Sequence, residues 1–107
     1  MTKLQPSETV LTGSWIAQNG KVHGDAICER IKWLLAHHLQ KVADSPRWGV
    51  WKTLDRDPDD GRYWERTYPQ SELHGGLPPE LRVLATEDSR QKYGAQLVKS
   101  RGKAAQR

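Results

Sequence analysis

The clearest pattern in the chain is a run of apolar residues at helical spacing. Between Asp25 and Ala43, apolar side chains recur every three or four positions, as on one face of an α-helix: Ile27, Ile31, Leu34, Leu35, Leu39 and Val42. Asp25 predicts the start, because an aspartate caps the first N–H groups and favours the positive end of a helix. The pair Ser45-Pro46 predicts the end, since proline cannot continue a helix. We therefore expect an amphipathic helix over residues 25–43.

The rest of the chain alternates apolar and polar residues between turn signals, which is typical of strands. We expect strands over residues 11–18, 48–56, 62–68 and 81–86. In the second of these, the alternation places Trp48, Val50 and Leu54 on one face, and Trp51 and Thr53 on the other. Asn19-Gly20 and DPDDG (57–61) predict tight turns, and the second turn makes the two middle strands a hairpin. Residues 87–94 are expected to form a short helix that ends at Gly94.

This order of elements predicts an α+β fold in which one helix packs on a small antiparallel sheet. The expected arrangement is a strand, the helix, a three-strand meander and a short C-terminal helix. A chain of 107 residues is expected to form one domain. We expect a flexible N-terminus over residues 1–10, a single domain over 11–94, and a basic, disordered tail over 95–107.

Composition narrows the cellular setting. The chain has one cysteine, no apolar N-terminal run of the kind found in signal peptides, and no stretch of about 18 apolar residues, so we expect a soluble, cytoplasmic protein. The net charge of +4 is carried by the four cations of residues 95–107, and residues 1–94 are formally neutral. Residues 55–72 have six acids against three arginines. The basic tail keeps open the hypothesis of a small nucleic-acid-binding module that uses its Lys/Arg tail and exposed aromatic residues.

Candidate catalytic and metal-binding residues are few. The acidic turn starting at Asp55 has Asp60 and Arg66 where a calcium-binding EF-hand needs glycine and glutamate, so we expect no calcium site. The four histidines are His23, His37, His38 and His74, and they have no zinc-ligand spacing. We expect no metal and no cofactor. An acid–base site built from Glu65, Glu72 or His74 remains an alternative that would make the chain an enzyme.

The richest stretch is GRYWERTYPQSELHGGLPP, over residues 61–79. Tyrosine, tryptophan and arginine dominate the energetics of protein interfaces, and an acidic turn beside them suits a basic partner. The same stretch also reads as a stiff hairpin whose aromatic residues fill the core. Both interpretations stay open on the residues alone.

Several pieces of the chain together resemble the immunity protein 27 family of bacterial polymorphic toxin systems. They span residues 11 to 94 and are LTGSW (11–15), NGKVHGD (19–25), WKTLDRDPDDGRYWE (51–65), TYPQSELHGGLPP (67–79) and KYG (92–94). The run from the DGRYWE piece into the HGG loop is the most specific. Leu77 stands where the family pattern leads us to expect a third small residue.

The resemblance implies a cytoplasmic inhibitor, not an enzyme, that binds and neutralises the effector domain of a cognate toxin. Such toxins are often nucleases and commonly basic, so local acidic groups would cover an active site or an exosite. The candidate toxin-binding residues are Asp57, Asp59, Asp60, Arg62, Tyr63, Trp64, Glu65, Tyr68, Glu72 and His74. Residues shared with the family need not be contacts, since some of them would maintain the fold.

Overall fold

The computed structural model describes residues 1–69 and 78–94. Its strands are β1 (Val10–Thr12), β2 (Trp15–Gln18), β3 (Lys21–Gly24), β4 (Gln40–Ser45), β5 (Gly49–Arg56), β6 (Tyr63–Thr67) and β7 (Glu80–Leu84). Helix α1 (Ala26–His37) follows β3, and residues 86–94 form a second helix, α2. The predicted α+β class is confirmed.

The main sheet has five antiparallel strands in the order β1-β7-β6-β5-β4. Strands β4 to β7 form a meander, and β1, the first strand of the chain, pairs with β7. Strands β2 and β3 form a separate two-stranded ribbon joined by the predicted turn, in which Asn19 has φ 53° and Gly20 has φ 75°. The single strand expected over residues 11–18 is therefore two strands, in two different sheets.

Two helices cover the two faces of the main sheet. Helix α1 lies on one face over a core made of Leu4, Leu11, Ile31, Leu34, Leu39, Trp64 and Leu81. Helix α2 places Tyr93 on the other face, against Ala43 and Leu54. Trp64 and Leu54 are fully buried on opposite faces, so both sides of the sheet are packed at this end.

The predicted helix start is confirmed and its predicted end is wrong. The Asp25 side chain accepts a hydrogen bond from the backbone N–H of Cys28 at 2.9 Å, which caps α1. The helix ends at His37, not at Ala43, and β4 begins at Gln40. A β-bulge in β4 explains the error, because the register shifts between Lys41 and Ala43. The inserted Val42 lies on the same side as Ala43, so a strand shows apolar residues at helix-like spacing.

The N-terminal residues pack against the domain, unlike the flexible N-terminus expected from the sequence. Leu4 is buried in the core under α1. The Arg30 guanidinium donates to the backbone carbonyls of Thr2 and Lys3 and to both carboxylate oxygens of Glu8, the latter at 2.7 Å. This ion pair lowers the pKa of Glu8 to about 2.

Candidate functional site

The turn between β5 and β6, which we call the acidic turn (Asp57–Gly61), is built around a buried aspartate. Asp57 is 1% exposed, and its Oδ1 accepts hydrogen bonds from the backbone N–H of Asp59 at 2.8 Å and from His38 Nε2 at 3.1 Å. Its backbone N–H donates to the Arg62 carbonyl, and its own carbonyl accepts from Gly61. Asp57 therefore shapes the turn and has almost no surface to offer a partner.

His38 joins this turn to the end of α1. Its Nε2 lies 3.1 Å from Asp57 Oδ1 and 3.6 Å from Asp59 Oδ2, so three potential metal ligand atoms lie within 4.8 Å of one another. In the hydrogen bond with Asp57, Nε2 of His38 is the donor, because an ionised carboxylate can only accept. Lys3 Nζ lies 3.6 Å from Asp59 and neutralises part of its charge. These contacts connect the end of α1 to the acidic turn.

Arg62, the cation of the predicted binding stretch, is held by structural contacts. Its Nη1 and Nη2 donate to the carbonyls of Glu8 and Gln5 at 2.7 and 3.0 Å, and its Nε donates to Asp60 Oδ2 at 2.7 Å. The guanidinium also lies 4.9 Å from the ring centroid of Trp64. Of the charged residues in the acidic turn, Asp59 and Asp60 remain exposed.

The predicted aromatic and acidic residues of β6 are mostly inside the protein. Trp64 is fully buried under α1, and Tyr63 is half-buried against the core on the α2 side. Glu65 is buried on that side, where its Oε2 accepts a 2.7 Å hydrogen bond from the Tyr93 hydroxyl and its Oε1 lies 3.4 Å from Lys92 Nζ. Burial and the neighbouring Glu65 raise the pKa of Tyr93. Glu72 and His74, the last two predicted site residues, lie outside the described residues.

The largest exposed aromatic side chains lie elsewhere, in the turn between β4 and β5. We call residues 45–52 the tryptophan hairpin. Trp48, Val50 and Trp51 are 50%, 62% and 51% exposed. Trp48 and Leu54 lie on the same side of the sheet and Trp51 on the other, as the alternation predicts, but only Leu54 is buried. Leu54 is in the core, whereas the first half of β5 extends beyond the area that the helices cover.

Cations surround the exposed rings of the tryptophan hairpin. The Arg47 guanidinium lies 5.0 Å and Lys52 Nζ 5.9 Å from the centroid of Trp48. On the other face of the sheet, Trp51 contacts Tyr68 edge-to-face at 5.7 Å. The guanidinium of Arg66 lies 4.7 Å from the Tyr68 ring. Tyr68 is thus the one predicted binding residue that belongs to this surface.

A shallow cavity of about 210 Å³ adjoins the hairpin on the α2 side. Trp48, Arg47 and Lys52 form one wall, and Lys92 and Tyr93 form the other, with Glu65 between them. No nucleophilic thiol or histidine is among the residues that line it. The thiol of Cys28 is buried elsewhere, and burial together with the Asp25 carboxylate raises its pKa, so it is unsuited to nucleophilic chemistry.

The β2–β3 ribbon adds exposed apolar residues at the same end of the sheet. Trp15, Ile16 and Val22 are all exposed. The N–H of Gly13, at the base of the ribbon, donates to the carbonyl of Pro79 at 2.8 Å, and Pro79 leads directly into β7. Because β7 begins opposite the end of β6, where Tyr68 follows, the ribbon and the tryptophan hairpin share one end of the sheet.

The two ends of the sheet carry opposite charges. The hairpin and the ribbon strands (residues 45–52 and 15–24) contain Arg47, Lys52 and Lys21 and no acid. The opposite end carries the acidic turn. Strand β5 separates the two, and its eight residues span roughly 25 Å at about 3.3 Å per residue. The sequence singled out the acidic turn, strand β6 and the loop that follows it as the site, and made no such prediction for the tryptophan hairpin.

A signal for the hairpin is present in the sequence. SPRWGVWK (45–52) has turn residues at both Ser45-Pro46 and Gly49, with two tryptophans between cations. Gly49 adopts φ 60°, and the Ser45 hydroxyl accepts hydrogen bonds from the N–H groups of Arg47 and Trp48. A residue inside a tight turn usually faces solvent, so the local sequence predicts that the Trp48 ring is exposed.

Comparisons with known proteins give one match. The model of the Immunity protein 27 family matches residues 17–85, which is more than half of the chain. No curated protein and no solved structure matches the chain. Among the described residues, no helix is long and apolar enough to cross a membrane. The match covers most of the ribbon, α1, the tryptophan hairpin, the acidic turn and β7, and it confirms the resemblance: this chain belongs to the immunity protein 27 family.

Proposed function

We propose that this protein binds the effector domain of a cognate toxin and neutralises it by forming a tight complex. Two observations support the proposal: the family match over residues 17–85, and the large aromatic surface that a rigid hairpin exposes at Trp48 and Trp51. The second carries the most weight, because large aromatic residues exposed together at one end of a small domain typically mark a protein–protein interface.

The role is inhibition by binding and not catalysis. Immunity proteins are generally not enzymes, and the toxin's activity is lost when its working surface is covered. We propose that the toxin is a nuclease, as the resemblance implies. We also propose that binding takes place in the cytoplasm, which both the composition and the resemblance predict.

The acidic turn stays a candidate for part of the interface through its exposed members. Asp59 and Asp60 face solvent, so they are available to a basic partner. Asp57, Trp64 and Glu65 act through the fold, since their burial leaves no contact surface. Tyr68 lies beside Trp51 and is placed to contribute from the aromatic end.

Calorimetry with the effector domain encoded immediately upstream of this gene tests the proposal. We expect 1:1 binding at nanomolar Kd, about −12 kcal/mol, together with loss of the toxin's activity in the same mixture. Failure of this domain and of the other toxins of the same genome to bind would refute the proposal. Binding without any loss of activity would refute neutralisation while keeping a complex.

A second candidate function has one observation in its favour. Arg47 and Lys52 both lie over the Trp48 ring, and proteins that bind single-stranded nucleic acid combine cations with exposed aromatic rings in this way. Fluorescence anisotropy with a labelled single-stranded oligonucleotide distinguishes the two. Micromolar or tighter binding that is lost on removal of residues 95–107, with the toxin complex unaffected, would show a separate nucleic-acid activity.

A further inference from the structure

We infer that the tryptophan hairpin is the surface that binds the toxin, and that it fits an apolar patch of the toxin with an acidic rim. This is the reverse of what the acidic turn suggested, namely a basic toxin surface. This inference rests on the proposed function.

The hairpin is preorganised for binding. The Ser45 hydroxyl accepts hydrogen bonds from two N–H groups of the turn. Arg66 donates to the carbonyl of Val50 and, at 3.0 Å, to the hydroxyl of Tyr68. Tyr68 in turn packs against Trp51. Because these contacts hold the exposed rings in place, little conformational entropy is lost when a partner covers them.

The charge around the rings selects the partner. Arg47, Lys52 and Lys92 surround Trp48 and the adjoining cavity. Glu65 is the only carboxylate among the residues that line this cavity, and it is buried and bound to Tyr93 and Lys92. The rim is therefore cationic, and a partner with acidic groups around an apolar centre is complementary to it.

A second copy of this chain is a poor occupant. A symmetric dimer through the hairpin would place Arg47 and Lys52 against the same cations of the other copy. Pairing the hairpin with the acidic turn of another copy would offer opposite charges, but Asp59 and Asp60 of that turn already pair with Lys3 and Arg62. A different protein with an acidic rim avoids both difficulties.

The test compares three double variants in calorimetry and stopped-flow binding against the upstream effector domain. W48A/W51A removes the two exposed rings, R47E/K52E reverses the rim charge, and D59N/D60N tests the acidic turn, the competing candidate at the opposite end. We expect at least about 100-fold weaker binding for the first, at least about 10-fold slower association for the second, and less than about 3-fold change for the third. Urea unfolding of each variant checks that it remains folded. Should W48A/W51A fail to fold, the single variants V50D and W48A, which change side chains outside the core, replace it.

Each alternative outcome has a distinct meaning. Large loss in D59N/D60N with hairpin variants unaffected overturns the inference and keeps the proposed function. If W48A/W51A binds the toxin more weakly but R47E/K52E binds it equally well or more tightly, the inference that the toxin patch has an acidic rim is wrong. If the wild type forms a dimer and W48A/W51A is a monomer, the surface binds a second copy of this chain instead. If the wild type binds an oligonucleotide and W48A/W51A does not, the surface binds nucleic acid instead. Wild-type protein that binds no toxin overturns the inference and the proposed function together.

Discussion

Gly13 joins β1 to the ribbon, and adding a single methyl group there should destabilise the fold. A Cβ built on Gly13 would lie 2.5 Å from Cys28 Sγ and 2.8 Å from the carbonyl oxygen of Pro79. Both distances are well inside van der Waals contact. The φ angle of Gly13 is not positive, so Gly13→Ala introduces no strain of its own in the backbone. The outcome depends on packing alone.

The expected magnitude follows from two opposing effects. Replacing glycine by alanine at a compatible backbone position stabilises a protein by about 0.4–1 kcal/mol through the unfolded chain. Overpacking a filled site costs about 1–3 kcal/mol, and here a shift of the backbone would also weaken the hydrogen bond from Gly13 to Pro79. We expect Gly13→Ala to lower the free energy of unfolding by about 1–2 kcal/mol.

Urea unfolding followed by tryptophan fluorescence measures this change. With a slope of about 1–2 kcal/mol/M for a chain of this size, the midpoint should fall by about 1 M. Gly94→Ala is the matched control, because nothing lies within 4 Å of an added Cβ there and φ is not positive. Its midpoint should stay constant or rise slightly.

A double variant identifies the clash. Cys28→Ala removes the sulfur that lies 2.5 Å from the added methyl group, while the contact with Pro79 remains. Gly13→Ala/Cys28→Ala should therefore be less destabilised, by about 1 kcal/mol, than the sum of the single changes. Equal midpoints for Gly13→Ala and Gly94→Ala, or strictly additive effects in the double variant, would refute the reasoning.

Three further changes probe the fold at other places. Tyr93→Phe removes the hydroxyl that donates to buried Glu65 and should cost about 1–3 kcal/mol; an unchanged urea midpoint would contradict this. Burial raises the pKa of Asp55 to about 6, above an unfolded value of about 3.9, so the folded state takes up the proton first as pH falls. Between pH 7 and pH 5 the wild type should gain about 1 kcal/mol relative to Asp55→Asn, and a constant difference in urea titrations at the two pH values would exclude this effect. Arg30→Ala should cost about 2–3 kcal/mol and speed amide hydrogen exchange in residues 2–8, because it breaks the ion pair with Glu8; unchanged exchange would show that the N-terminus is held by other contacts.

The parts of the fold that the sequence predicted well are those specified by local chemistry. Asp25 caps α1, Asn19-Gly20 closes the ribbon, and the DPDDG turn joins β5 to β6, as expected. The end of α1 was mispredicted because the bulge at Val42 gives an edge strand the apolar spacing of a helix. This register shift arises from the pairing of β4 with β5, which the apolar spacing of residues 25–43 does not contain.

The candidate site was harder to predict, because exposure is a property of the whole fold. Trp48 and Trp64 are both tryptophans. Trp48 lies in the turn before β5 and is half-exposed, whereas Trp64 lies in β6 and is fully buried. The difference arises because Trp64 lies under α1, whereas Trp48 lies on the opposite side of the sheet, at the rim of the cavity beside α2. Arg62 likewise gave a strong interface signal from its residue type, whereas in the structure it holds the N-terminal residues.

The residues on which the resemblance to the family depends are largely used by the fold, and we expect other residues to form the interface. Tyr93 of the KYG piece bonds to Glu65 of the YWE piece, which connects α2 to the middle of the sheet. Gly13 of the LTGSW piece and Gly24 of the NGKVHGD piece both lie against Cys28, so that the ribbon approaches α1 closely. A toxin that depended on these buried groups would have to disrupt the domain that presents them. A scaffold fixed in this way can instead hold a hairpin tip whose large side chains are half-exposed or more, and we expect tip residues to change with the toxin at small cost in stability.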